Sequence, residues 1–91
     1  MVEATLIISS PQGLHARPAA DFYRTARAFK SRVTIQNLSQ PNSSEVPVSL
    51  YNLLRLGVAQ GHRVRVRADG EDERDAIRAL AALVEQHRGG E

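Results

Sequence analysis

The spacing of apolar residues along this chain switches repeatedly between two residues and three or four residues. A period of two is typical of a strand with one buried face, and a period near 3.6 of an amphipathic helix. Period two holds over residues 2–8, 32–36, 46–48 and 63–68, and helical spacing over residues 16–30, 49–56 and 73–87. This order predicts an α+β fold, an open-faced β-sandwich with four strands in one layer and three helices on one face of the sheet.

The length of 91 residues suits a single domain, which we assign to residues 1–88, followed by a frayed tail at 89–91. The chain has no cysteine, which excludes disulfides, thiol chemistry and cysteine-based zinc sites. A net charge of +2 and an aromatic content of 4% do not favour nucleic acid as a partner. No apolar run approaches the ~20 residues that cross a bilayer. The first residues lack a secretory pattern, so we expect a cytoplasmic protein without membrane insertion.

Several residues at the predicted ends of elements support this order. Pro47 lies between two valines of the short third strand, and its missing N–H predicts an edge strand. Ser49 is typical of a helix N-cap, and Gly57 marks the end of the helix that follows. Asp72 is predicted to cap the last helix, with Asp75 at the third helical position in a capping box.

The stretch from Gly13 to Ala20 places His15 between a glycine-containing loop and a helix start. The first helical N–H groups, from Ala16 and Arg17, have no intrahelical acceptor and favour an anion. Arg17 adds a permanent charge with donors that match phosphate oxygens, and Pro18 fits the first turn. The same positive potential favours the neutral imidazole, whose free nitrogen is a nucleophile at pH 7. The stretch therefore predicts a histidine that can both accept and hold a phosphoryl group.

A simpler interpretation of His15 is a polar residue at a helix boundary, with Arg17 as an ordinary surface charge. No metal-spaced partner and no second acid or base lies near His15 in the sequence. His62 is interpreted as a turn residue, and His87 as a solvated residue in the last helical turn. We expect no cofactor and no metal.

Three segments resemble conserved parts of one protein family. Residues 13–19, Gly-Leu-His-Ala-Arg-Pro-Ala, resemble the active-site signature of HPr, the histidine-containing phosphocarrier family of the bacterial phosphoenolpyruvate-dependent sugar phosphotransferase system. Residues 49–57 with 59–61 resemble the serine-site helix of that family and its glycine turns. Residues 70–73 resemble the entry to its last helix. Together the matches cover almost the whole chain, in register and in the family's order of strands and helices.

The resemblance implies that His15 is phosphorylated on Nδ1 by enzyme I, which is charged from phosphoenolpyruvate. His15 then passes the group to a histidine of an enzyme IIA component, so the chain is a carrier and not an enzyme. Arg17 would contact the phosphoryl group, and the backbone N–H groups of Ala16 and Arg17 would bind its oxygens. The resemblance is compatible with a monomer.

The resemblance also implies a docking surface for enzyme I and enzyme IIA. Its expected members are two arginines of the first helix and three apolar residues of the second: Arg24, Arg27, Leu50, Tyr51 and Leu54. The alternative for Leu50, Leu53 and Leu54 is packing in the core.

Ser49 corresponds to the regulatory serine that an HPr kinase/phosphorylase modifies in some bacteria. A phosphate there would be favoured by the helix dipole but would place charge within the docking surface. A cap role alone is the alternative for Ser49.

Two other functions remain open at this point. One is an HPr-like regulatory protein, either of a nitrogen-type phosphorelay or acting as a transcription-factor corepressor, which does not feed sugar uptake. The other is a small ligand-binding α+β domain without phosphoryl transfer.

Overall fold

The computed structural model describes residues 1–86, so His87, the predicted domain end at 88 and the predicted tail at 89–91 lie outside the described residues. Its elements are β1 (Val2–Ile7), α1 (Ala16–Arg27), β2 (Arg32–Asn37), β3 (Val46–Pro47), α2 (Leu50–Arg55), β4 (Arg63–Asp69) and α3 (Glu73–Gln86). The predicted order of strands and helices is confirmed, and so is the open-faced sandwich. None of the helices within residues 1–86 is long and apolar enough to cross a membrane.

The four strands form one antiparallel sheet in the order β1-β4-β2-β3. β4 is an inner strand because it pairs with β1 on one side and β2 on the other; its valines, Val64 and Val66, face the core, while its arginines alternate with them on the open face of the sheet. Pro47 lies opposite Thr34 in the edge strand β3, as its missing N–H predicts.

The core lies between the inner face of the sheet and the helices. Its largest fully buried apolar side chains are Phe22, Ile35, Leu53, Leu80, Val58, Val64 and Val66. α1 and α3 pack against each other, and α1 also contacts α2. α1 therefore lies against both other helices on the helical side of the sheet.

The end of α1 and the capping of α3 differ from the sequence prediction. α1 ends at Arg27, not at residue 30, because the amides of Lys30 and Ser31 donate to the Asp72 carboxylate at 2.8 and 2.9 Å. The carboxylate of Asp72 is thus turned toward the end of α1. The predicted capping box through Asp75 is wrong: Glu73 reaches back to accept from the Gly70 amide at 3.1 Å instead.

Candidate functional site

His15 occupies the N-cap position of α1, with extended backbone angles of φ −127° and ψ 165°. Its side chain is exposed and makes no capping hydrogen bond with the described residues. The helical ladder begins where the Ala19 amide donates to the His15 carbonyl at 3.5 Å. The amides of Ala16 and Arg17 therefore precede the ladder, as predicted, and the His15 side chain is exposed at the same end of the helix.

Ala16, the first residue of α1, has φ +52°, a left-handed conformation that L side chains rarely adopt. An alanine there costs about 1 kcal/mol relative to the right-handed region. Strained residues of this kind concentrate at functional sites, where the surrounding structure holds them in place. The sequence carries no signal for this conformation, because alanine favours an ordinary helix start.

The loop before His15 is seated on the chain that follows α2. The Leu14 amide donates to the Val58 carbonyl at 3.1 Å, and the Leu14 side chain is buried. Gly13 has φ +63°, and a Cβ at this position would lie 2.2 Å from the same carbonyl oxygen. Only glycine fits this conformation and this close approach. The loop before His15 is therefore fixed by its contacts with Val58. Pro18, in the first turn of α1, is buried and fixes the start of the helix against the core.

α2 separates its leucines into one core residue and an exposed group. Leu53 is fully buried, which decides in favour of core packing for this residue. Leu50, Tyr51 and Leu54 are 42%, 67% and 46% exposed, which excludes a core role for the two leucines. We call these three residues the apolar patch. The Arg55 guanidinium lies over the Tyr51 ring, 5.3 Å from its centroid.

Ser49 is the N-cap of α2, as predicted, because its hydroxyl accepts from the Asn52 amide at 3.0 Å. The Asn52 side chain adds a second tie by donating to the Pro47 carbonyl at 2.9 Å. Ser49 is half-buried and directly precedes Leu50 of the apolar patch. A change of charge at Ser49 would therefore act on this patch.

Arg24 and Arg27, in the second half of α1, are exposed but already have partners within the helix. Arg24 forms an ion pair with Asp21 one turn earlier. Arg27 donates to the Tyr23 hydroxyl at 3.2 Å and lies 5.5 Å from the centroid of its ring. The sequence analysis missed both contacts, although spacings of three and four residues on a helix point to them. Arg17, two residues after His15, is exposed in the first turn of α1.

Comparison with known proteins identifies the family. The family model described as the PTS HPr component phosphorylation site matches residues 2–86. The chain belongs to the HPr family. Within residues 1–86, no group of three or more His, Cys, Asp or Glu side chains is arranged to hold a metal ion.

Relatives in this family resemble the chain along most of its length. The phosphocarrier protein HPr of Haemophilus influenzae is 40% identical over 77 residues, which cover 85% of this chain and 87% of that protein. The solved structure of HPr-C-His from Thermoanaerobacter tengcongensis superposes with a TM-score of 0.88 at 40% identity, covering 100% of this chain and 99% of that one. The multiphosphoryl transfer protein of Haemophilus influenzae is 40% identical over 83 residues, and the chain spans only 17% of its length.

These findings define the role of the chain at the level of the HPr family. It is a phosphocarrier of the phosphotransferase system and not a catalytic enzyme. The named curated relatives favour this role over a regulatory protein outside sugar uptake.

Proposed function

We propose that His15 carries the phosphoryl group, which it accepts from phosphoenolpyruvate-charged enzyme I and passes to an enzyme IIA component. The observation that supports this most directly is the exposed imidazole at the N-cap of α1, uncommitted to capping and next to the amides of Ala16 and Arg17. The Nδ1 lone pair attacks the phosphorus, and a P–N bond forms as the bond to the donor breaks. The proton on Nε2 stays in place, and the reverse step delivers the group to the acceptor histidine.

The phosphorylated state is stabilised by charge at the same helix end. A phosphoryl group brings about two negative charges and acceptor oxygens. The amides of Ala16 and Arg17 donate to these oxygens, and the positive end of the α1 dipole favours the anion. The Arg17 guanidinium adds charge-assisted donors. No cofactor is required, because the imidazole and these donors supply the chemistry.

Enzyme I and enzyme IIA dock on the apolar patch and on Arg24 and Arg27. The patch exposes aromatic and aliphatic side chains beside α1, and such residues form the core of many interfaces. The arginines supply a basic rim that suits an acidic partner surface. Arg24 exchanges Asp21 for a carboxylate of the partner when it docks.

Ser49 links this docking surface to regulation by an HPr kinase/phosphorylase. A phosphate on Ser49 lies at the N-terminus of α2, where the dipole favours it and the cap is preserved. The added charge adjoins Leu50, so it opposes docking of enzyme I without unfolding the helix.

The carrier acts as a cytoplasmic monomer. One chain presents both His15 and the apolar patch, so no second copy is needed to complete the site. Phosphoenolpyruvate, the source of the phosphoryl group, is a cytoplasmic metabolite. Sedimentation equilibrium tests the monomer, and a stable dimer at micromolar concentration contradicts it.

The experiment for His15 is incubation with enzyme I and phosphoenolpyruvate, followed by mass spectrometry of the intact protein and its peptides. We expect one acid-labile phosphate on the peptide that contains His15, and its loss in His15→Ala. Labelling that persists in His15→Ala, or that maps to the peptide with His62, refutes the assignment. Incubation with ATP and an HPr kinase tests Ser49, where acid-stable phosphoserine is the expected product. Failure of a kinase that modifies another HPr leaves Ser49 as a cap only.

A further inference from the structure

The segment 56–62, which joins α2 to β4, forms the support of the loop that leads to His15. We call residues 8–14 the active-site loop. The ends of the loop bond to this segment: the Ile8 amide donates to the His62 carbonyl at 2.9 Å, and Leu14 donates to Val58 at 3.1 Å. The Gly61 amide donates back to the Ile8 carbonyl at 2.6 Å. The position of the active-site loop therefore depends on the position of segment 56–62.

The His62 imidazole holds this segment in shape through Nδ1. The Ala59 amide donates to Nδ1 at 3.1 Å, and the His62 amide donates back to the Ala59 carbonyl at 3.0 Å. The side-chain nitrogen of Asn37 lies 3.3 Å from Nδ1 and also donates to the Leu56 carbonyl at 3.2 Å. Asn37 is fully buried at the end of β2. Nδ1 of His62 thus joins the end of β2 to the turn before β4. The Asn37 side chain extends this connection to the end of α2.

These contacts determine the protonation state of the ring. A backbone N–H can only donate, so Nδ1 must carry a lone pair and the proton of the neutral ring lies on Nε2. An imidazolium has N–H groups on both nitrogens, so Nδ1 loses its acceptor role. The Ala59 amide and one hydrogen of the buried Asn37 side chain then lose their partner. The Ala59 amide is exposed to water, but the Asn37 side chain is fully buried, and a buried donor without an acceptor is costly. An N–H on Nδ1 would also point at these two donors, so the segment must rearrange.

We propose that His62 is a positioning residue for phosphoryl transfer, whose neutral ring holds segment 56–62 under the active-site loop and whose protonation releases it. The proposal rests on the proposed function of His15. It makes the carrier sensitive to pH through a second histidine, distinct from the one that carries the group.

The groups that meet at the ring are uncharged. β2 contributes the Asn37 amide, and segment 56–62 contributes the Ala59 amide. The ionisable side chains next to these contacts along the chain are Arg55, in the last turn of α2, and Arg63, which follows His62.

Two variants separate the lone pair from the ring. His62→Asn keeps an acceptor oxygen at the position of Nδ1 but cannot be protonated, and His62→Phe keeps the ring without the acceptor. We measure phosphorylation by enzyme I from about pH 8.5 to 5.5, and compare each variant with the unmodified chain. Titration of His15 and of enzyme I is common to all three proteins and cancels from the ratio of rates.

At about pH 8 we expect His62→Asn to transfer within about twofold of the unmodified chain. As the pH falls, the unmodified chain should become slower than His62→Asn, by up to about tenfold. His62→Phe should be about tenfold slower at every pH. A constant ratio of unmodified chain to His62→Asn, or full activity of His62→Phe, overturns the proposal.

A second measurement requires neither enzyme I nor a variant. Nitrogen-15 NMR of the unmodified chain should show His62 as the Nε2–H tautomer, and hydrogen-exchange protection of the Ala59 and Leu14 amides should fall as His62 is protonated. An Nδ1–H tautomer, or protection that is insensitive to this protonation, overturns the proposal. If enzyme I fails to phosphorylate any form, the proposed function fails, while the tautomer and protection still decide the role of His62.

Discussion

The carboxylate oxygen Oδ1 of Asp72 accepts two hydrogen bonds from Ser31, from the amide at 2.9 Å and from the hydroxyl at 2.5 Å. These residues lie 41 positions apart in the sequence, and the bonds join the start of α3 to the end of α1. Since α1 carries His15 at its other end, this contact fixes the helix from the side opposite to the site. It also gives the fold a dependence on pH.

The hydrogen bonds from Ser31, and then that from the Lys30 amide, hold the pKa of Asp72 below its ordinary value of 3.8. A lowered pKa in the folded state means that the stabilisation is complete above pH 3.8 and is lost as the pH falls through the folded pKa. We therefore expect Asp72→Asn to lower the Tm at pH 7 and to converge with the unmodified chain in strong acid. Thermal unfolding across this range measures both.

Asp75→Asn is the matched control for Asp72→Asn, because the Asp75 side chain is exposed and its ion pair with Arg78 is long, at 3.9 Å. It should leave the Tm nearly unchanged at every pH, since exposed pairs contribute about 0–1 kcal/mol. A difference between Asp72→Asn and the unmodified chain that is the same in acid as at neutral pH contradicts the assignment.

Gly13 and Gly57 have nearly the same backbone angle, φ +63° and +65°, but different surroundings. A Cβ on Gly57 has nothing within 4 Å, whereas one on Gly13 collides with the Val58 carbonyl. Gly57→Ala should cost about 1 kcal/mol for the left-handed conformation alone. Gly13→Ala should cost about 2–4 kcal/mol, because the Val58 backbone must also move. Urea unfolding measures both, and equal costs would show that the close approach to Val58 is unimportant.

Most of the fold could be predicted from the sequence because each element has a recognisable pattern in its own residues. The alternation of valine and arginine in β4, the Ser49 cap and the position of Pro47 at an edge depend on neighbours in the chain. The nature of the site was also local, since His15, Arg17 and the helix start lie within a few residues.

The features that could not be predicted depend on contacts between distant residues. The end of α1 is set by Asp72, which lies 42 positions beyond Lys30. The left-handed conformation of Ala16 cannot be recognised from the residue type, because alanine rarely adopts it. The loop before Ala16 is bonded to Val58, which lies more than 40 positions further along the chain. Asn37 and His62 meet across 25 positions, so neither could be distinguished from an ordinary turn residue.

Leu53 and Leu54 are neighbours in α2 with opposite environments, fully buried and 46% exposed. Leu53→Ala should lower the free energy of unfolding by about 2–5 kcal/mol through loss of burial and the cavity that remains. Leu54→Ala should change it by less than about 0.5 kcal/mol, yet raise the KM for enzyme I, because it removes part of the proposed docking surface. Denaturant unfolding and steady-state transfer separate the two effects. An unchanged KM in Leu54→Ala would exclude Leu54 from that surface.

Ser49 combines a cap with a position next to the apolar patch, and two substitutions separate these roles. Ser49→Ala removes the acceptor of the Asn52 amide and should destabilise the chain by about 1 kcal/mol. Ser49→Asp keeps an acceptor and suits the helix dipole, so the stability should be retained. Its charge beside Leu50 should raise the KM for enzyme I, as a phosphate would. An Asp variant with normal KM and normal stability would leave the cap as the only role.

Arg17 and Arg27 are exposed cations at opposite ends of α1. Substituting each in turn separates the effect of charge near His15 on phosphoryl transfer from the effect of charge in the proposed docking surface on binding of enzyme I. Arg17→Ala should lower kcat about 10- to 100-fold, because the developing phosphoryl charge loses a preorganised donor. Arg27→Ala should instead raise the KM for enzyme I and reduce the salt dependence of that KM, since rim charges act mainly on association and are screened by salt. Arg17→Ala should unfold like the unmodified chain, whereas Arg27→Ala loses its exposed contacts with Tyr23 and should be destabilised by no more than about 1 kcal/mol. Rapid-quench transfer with varied carrier concentration gives both constants, and an unchanged kcat in Arg17→Ala would remove the guanidinium from the proposed mechanism.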